Sequence, residues 1–452
     1  MTASSARSGR PWLGTLAREL APGAAGEALV LAGAVPFLFL HATYQPHVSV
    51  PLASTTVDVT LADVAVAAVV VAAAARTRRE GFGPLRPARW ALAAAAALVT
   101  LAFLALATPR VLGEEYALAP HAVSALKFAW YALLLPGTVL LVRRAADATP
   151  VFRAAVAWSL AATAVGLLQF LGVLSEFEGK RPGQREPSFL GIHDLAAFSG
   201  AVLVLGLAAV LLADGRPLHG GRWAAAALAC GGLGVVLSGA MTGVAGVWVA
   251  LVALALGVRS SGLRARRVLA SVALVLVVTA GTAVMRAEAI ERFAEFIGIR
   301  DRVADTGVQS YAHRTLLAYI GGRIWLDHPV AGVGWQASSE EWAYSPYLAD
   351  ARARFPDEPD EAFPSPEHPW GVQTLYVQVL ADLGVIGFAA LLALFAAGVA
   401  AAVRGARASP VPLVGLAWLL VAAGVWGGIG IVAGLPLAAL TWIALGLGCV
   451  RG

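Results

Sequence analysis

Apolar runs of about 20 residues, the length a helix needs to cross the hydrocarbon core of a bilayer, recur from one end of this chain to the other. Few folds satisfy such a pattern, because a backbone immersed in lipid must meet its own hydrogen-bonding needs, as helices and closed barrels do. The runs are too long for barrel strands and do not alternate. They predict helices at roughly 27–43, 59–75, 90–108, 121–142, 152–174, 194–213, 223–238, 243–258, 268–285, 372–402, 411–430 and 432–449. Composition agrees: 59% of the residues are hydrophobic and only 13% are charged, against about a quarter charged in soluble domains. The expected fold class is an all-α polytopic membrane protein of about twelve transmembrane helices.

The net charge of +5 does not indicate a nucleic-acid interface, because the arginines are distributed by topology. Arg7, Arg10 and Arg18 precede the first run, and Arg76, Arg78, Arg79, Arg86 and Arg89 separate the second from the third. Arg143, Arg144 and Arg153 follow the fourth, Arg216 and Arg222 the sixth, and Arg259, Arg264, Arg266 and Arg267 the eighth. Arg404 and Arg407 follow the tenth. Every second loop is basic, the positive-inside pattern, and it sets both termini in the cytoplasm. The first run lacks a small-residue cleavage site after it and reads as a retained helix rather than a signal peptide. Cys230 and Cys449 both fall in apolar runs, so neither a disulfide framework nor a cysteine metal site is expected.

Three regions follow: transmembrane helices over 1–285, a large outer loop over 286–371, and transmembrane helices over 372–452. Within the loop, Ile290, Phe293, Phe296 and Ile297 recur at helical spacing, as do Leu316, Leu317, Ile320, Ile324 and Trp325. Each set predicts an amphipathic helix lying on the bilayer or capping the bundle. Between Glu340 and Glu367 the composition turns acidic and proline-rich, which predicts an extended, solvated excursion.

Candidate chemistry lies on the outer side. Arg185 and Arg314 are the leading candidates for a phosphate ligand, with Lys180, Arg181 and Arg323 behind them, because a guanidinium offers a fork of donors matched to phosphate oxygens. Snorkelling or pairing with nearby acids is the plainer explanation. Lys127, inside the fourth run, is either a functional intramembrane cation or a snorkelling one. The outer histidines, His193, His313, His328 and His368, with His121 near a span end, lack metal-ligand spacing, so no metal is expected. His368 is placed best for a general base, just before the tenth run.

Four stretches carry a family likeness: REPSFLGIHD over 185–194, LSGAMTG over 237–243, the run from Arg314 through WLDHPVAGVGWQ to Gln336, and QTLYVQVLADLGVIG over 373–387. Together they resemble the O-antigen ligase/O-antigen polymerase superfamily of bacterial envelope glycan enzymes. The resemblance implies a GT-C-like membrane fold and transfer of a glycan from an undecaprenyl-pyrophosphate carrier to a hydroxyl on a glycan, lipid or protein acceptor. It implies neither cofactor nor nucleotide sugar, and an active site facing the periplasm from the cytoplasmic membrane. It makes Arg185 and Arg314 the pyrophosphate ligands. Apart from the resemblance, Arg181 and Lys127 are further candidates for the same ligand, and His313, Asp194 and Tyr376 are other candidate site residues.

Two positions depart from the family pattern. Met241 stands where the hairpin usually has arginine, and Gln373-Thr374 replaces the His-Asn pair that would supply a base. Either His368 supplies the imidazole from a shifted position, or Gln373 only orients the acceptor, or this branch does different chemistry or none. Ligase and polymerase differ only in acceptor, and a transporter or flippase of lipid-linked or anionic solutes is the non-enzymatic alternative. Oligomeric state is not legible.

Overall fold

The computed structural model describes residues 26–52, 55–174, 182–212, 218, 220–258, 265–299, 310–431 and 436–451. A helix coincides with each expected span. They are α1 (Ala28–Leu38), α2 (Leu61–Glu80), α3 (Arg89–Leu104), α4 (Leu118–Leu141, with one irregular residue at Leu133), α5 (Ala145–Phe170) and α6 (Ile192–Leu211). Then follow α7 (Gly221–Ser238), α8 (Met241–Val258) and α9 (Ala265–Met285). The outer loop holds α10 (Ala287–Phe296) and α11 (Ser310–Asp327), and α12 (Leu375–Gly405), α13 (Val411–Val425) and α14 (Pro436–Gly448) follow it. Among the described residues nine helices are long and apolar enough to cross a membrane. The other three at expected spans are α1 and α14, which are shorter apolar helices, and α2, whose ends carry Asp63, Arg76, Arg78, Arg79 and Glu80. The chain is a polytopic, mostly helical membrane protein.

One departure from all-α is small. β1 (His47–Leu52) and β2 (Thr55–Thr60) pair antiparallel, with His47 opposite Thr60. Alternating β-branched residues in HVSVPL and TTVDVT suit a ribbon, and Thr60 then closes a capping box with Asp63 that starts α2.

α6 is buried along nearly its whole length and forms the axis of the bundle. α7 lies against it closely enough that a side chain at Gly231 would meet the Leu203 backbone at 2.5 Å, the small-residue contact by which membrane helices approach. α9, by contrast, is mostly exposed, as a lipid-facing helix would be.

The outer loop forms its own apolar core. Leu316, Leu317, Ile320 and Ile324 of α11 are buried against Tyr344, Tyr347 and Phe363. Of the two placements expected for α11, on the bilayer or capping the bundle, the structure has the second: its apolar side is covered by protein. The solvated excursion is corrected. Residues Glu341–Tyr344 and Leu348–Arg354 are short helices, because Tyr344, Tyr347 and Ala351 share one apolar face and the acids stay outside it. Tyr347 donates to Asp327 at 2.7 Å and Tyr319 to Asp350 at 2.6 Å.

Two of the four quoted stretches lock together. α12 breaks at Gly384, which has φ 62°. The carbonyls of Ala381 and Asp382 accept from the amides of Val333 and Gly334, both at 2.9 Å. A side chain at Gly332 would meet the Asp382 carbonyl carbon at 2.3 Å, and one at Gly384 would meet that of Val330 at the same distance. The Asp382 carboxylate accepts from the amides of Gln336 and Ser338, both at 3.1 Å, and from Gln378 at 3.2 Å. Asp382→Ala leaves these donors without a partner, at about 1–3 kcal/mol each. We expect it to lower the midpoint of thermal unfolding in detergent by several degrees and expose residues 336–338 to protease. An unchanged midpoint would show that the carboxylate does not hold the loop.

Candidate active site

Three of the quoted stretches meet at the N-terminal end of α6. The segment before it is tied down at both ends: the Glu186 amide donates to Leu237 O at 2.8 Å, and Ser188, at φ 55°, is held by Gln169 Oε1 at 2.9 Å and donates through Oγ to Ala162 O at 2.7 Å. This strap brings Arg185 over Gly239, the left-handed residue at the α7–α8 corner. Arg286, at the end of α9, reaches the same corner. Arg314 on α11 completes the group, its Nη2 lying 3.0 Å from His193 Nε2. His193 lies within electrostatic reach of all three guanidinium groups.

The group contains polar atoms that the protein leaves unpartnered. Among the described residues, Arg286 Nε, Arg314 Nε, His193 Nδ1 and His313 Nε2 are all buried without a hydrogen bond. Each such atom costs about 1–3 kcal/mol unless a ligand supplies the partner. Arg286 stacks on Tyr311 at 5.1 Å. Loss of hydration and the like charge of Arg286 push the Arg314 pKa down from its ordinary value, but a guanidinium stays protonated regardless. His313 is also held below the usual histidine range, by burial first and by Arg314 second. The charge gathered here suits an anion with several oxygens.

Beside the arginines opens a cavity of about 450 Å³ with a mixed polar and apolar lining, including His193, Gln336, Ser338, Gln373, Gln378 and Ile429. Gln378 Oε1 accepts from the Ile431 amide at 2.5 Å, and Gln336 donates to Ile431 O at 3.0 Å, so both glutamines are oriented. Ile431 also lines an apolar cleft with Phe128, Leu375, Leu391, Trp426 and Trp442. Among the described residues no group of three or more metal-ligating side chains occurs.

The sequence-predicted residues are only partly assembled. Arg185, Arg314 and Gln373 lie at the group or its cavity, and His313 adjoins it, edge-on to Trp370 at 5.2 Å. His368 does not line the cavity; it is exposed and stacks on Trp370 at 5.9 Å. Lys127 is engaged elsewhere, donating to Asp58 O at 2.9 Å with Asp63 at 3.6 Å. Asp194 caps α14 through the Leu437 amide at 2.7 Å, and Tyr376 donates to Ala423 O at 2.6 Å. Both hold helices together. Arg323 pairs with Asp350 at 3.7 Å. Lys180 and Arg181 lie outside the described residues.

Two residues in the group were not among the predicted site residues. Arg286 looked like a span boundary, although a cation where a span meets the longest loop was an available signal. His193 was one outer histidine among several.

Residues 226–392 match the family model described as O-antigen ligase. This region is similar to O-antigen ligase domains. The match takes in the α7–α8 hairpin, Arg286, Arg314 and most of α12, while Arg185 and His193 lie before it. No curated protein matches the chain. The likeness of this region supports a relationship to the O-antigen ligase/O-antigen polymerase superfamily of membrane glycan enzymes, whose members act on lipid-linked glycan donors and acceptors in general.

Proposed function

We propose that this protein transfers a glycan from a polyprenyl-diphosphate carrier to an acceptor hydroxyl at the outer face of the cytoplasmic membrane, from a bundle of twelve spans with cytoplasmic termini. The observation that carries this reading is the convergence of Arg185, Arg286 and Arg314 near one corner, with buried donors of Arg286 and Arg314 unpartnered among the described residues and a cavity alongside. The guanidinium groups take the diphosphate, the apolar cleft at Ile431 receives the first part of the prenyl chain, and the cavity receives sugar and acceptor.

The acceptor oxygen attacks the anomeric carbon as the bond to the diphosphate oxygen breaks, and the electron pair leaves on the diphosphate. Positioned cations stabilise the charge that develops there. The proton of the hydroxyl goes to His193. In the resting site Arg314 donates to His193 Nε2, so the imidazole is neutral with its proton on Nδ1. When the diphosphate draws Arg314 away, the Nε2 lone pair becomes available, and the base is armed only with donor in place. Gln373, on the cavity wall, orients the acceptor.

Protein in lipid nanodiscs, supplied with an undecaprenyl-diphosphate oligosaccharide and an acceptor extract, is expected to release free carrier diphosphate in an acceptor-dependent manner. A transporter would bind or move the same lipid and release none. Binding without release in the presence of a complete acceptor extract would reject the reading.

A further inference from the structure

The end of the bundle away from the arginine group holds a second, strongly basic cavity that is open to the surface. α5 separates the two: it starts beside Arg144 and ends near Gln169, which holds the strap. Its 26 residues span about 39 Å at about 1.5 Å per residue. The end of α2, the turn Gly83–Ala88, the α4–α5 corner and residues 449–451 border about 750 Å³. Arg76, Arg86, Arg143, Arg144 and Arg451 line it, and Glu80 is the acid among them.

The pairing there is incomplete. Glu80 takes both Arg76, at 3.2 Å, and Arg143, at 2.6 Å. Asp147, just outside, takes Arg144 at 3.2 Å. Arg86 and Arg451 have no acidic partner among the described residues, so three positive charges are left over. Arg76 is fixed in place, its side chain only 11% exposed and donating to Leu141 O at 3.3 Å. Val139, Val142 and Val450 supply apolar wall. Beside the turn, Phe82 and Trp90 stand 73% and 63% exposed, with Arg89 over the Trp90 ring at 5.2 Å. Exposed aromatics of this kind mark the level of the lipid headgroups.

We propose that this cavity is a binding site for the headgroup of an anionic phospholipid of the inner leaflet, with the phosphate on Arg86 and Arg451 and the acyl chains along the α3 surface past Trp90. The excess charge calls for an anion, and the valine wall with the neighbouring aromatics calls for one carrying a hydrocarbon tail. Basic pockets between membrane helices on the cytoplasmic side take such headgroups. The inference is independent of glycan transfer.

Native mass spectrometry of the intact protein in detergent tests it, with phosphatidylglycerol, phosphatidylcholine and soluble glycerol phosphate as ligands. Arg86→Ala/Arg451→Ala leaves no acid orphaned and is expected to fold normally, checked by its melting midpoint. The wild type should retain phosphatidylglycerol over phosphatidylcholine, and the double variant should lose roughly thirtyfold in affinity, about fivefold per arginine. Arg266→Ala/Arg267→Ala, at the start of α9 and outside the cavity, should bind as wild type. Equal loss in that control would mean general attraction to basic loops and overturn the site. So would equal retention of the two lipids, unchanged binding by the double variant, or equal affinity for glycerol phosphate, which would make it a site for free anions.

Discussion

Arg314→Ala is expected to lower carrier-diphosphate release by about a hundred- to a thousandfold, the usual cost of removing one aimed donor from a developing charge. The fold should survive. Arg314 has no acidic partner among the described residues, its contact being His193, and the apolar side of α11 that builds the loop core does not include it. Removing a cation that is partly stripped of water beside Arg286 relieves repulsion, so the melting midpoint should stay level or rise. Arg314→Lys keeps the charge and loses the fork, and should fall between. Single-turnover release at saturating donor is the measurement; activity within a few-fold of wild type would remove Arg314 from the diphosphate site. Arg286→Ala, by the same reasoning, should cost a comparable factor.

His193→Gln should cost about a hundred- to ten-thousandfold, the range for a general base, while His368→Ala should stay within a few-fold of wild type. Glutamine can still accept from Arg314, so a purely positional role for His193 would be largely rescued, whereas a proton-accepting role would not. The pH profile separates the two further. Wild-type rate should fall toward acid as the imidazole takes up a proton and can no longer accept one from the acceptor, and that limb should be missing in His193→Gln. If His368→Ala is the damaging variant instead, the base is supplied from the Trp370 side and the assignment to His193 fails.

The spans were legible because lipid imposes a length and a polarity that no tertiary contact overrides: every expected run became a helix, even where α1 and α14 came out short. The loop was legible only in part. Its acids dominate the composition of 340–367, but Tyr344, Tyr347 and Ala351 decide its structure, by burying one face. At the site, sequence distance misled. His368 lies close to the missing His-Asn pair along the chain and yet stands outside the cavity, whereas His193, far away in sequence, lines it and contacts Arg314. Lys127 looked like a lone intramembrane cation because Asp63, its partner, lies on another helix. Arg314 and Arg185 could be picked out because arginines are scarce on the outer side and sat in recognisable stretches.

The reciprocal fit of Gly332 and Gly384 has a consequence for how this lineage can change. Each glycine is excluded from growing by the other's backbone neighbourhood rather than by a side chain. No second mutation nearby can therefore make room, as a smaller neighbour would for an overgrown core residue. A replacement at one is not rescued by a replacement at the other. The two positions form a dead end for drift, and any homologue that keeps the loop threaded through the break in α12 must inherit both together.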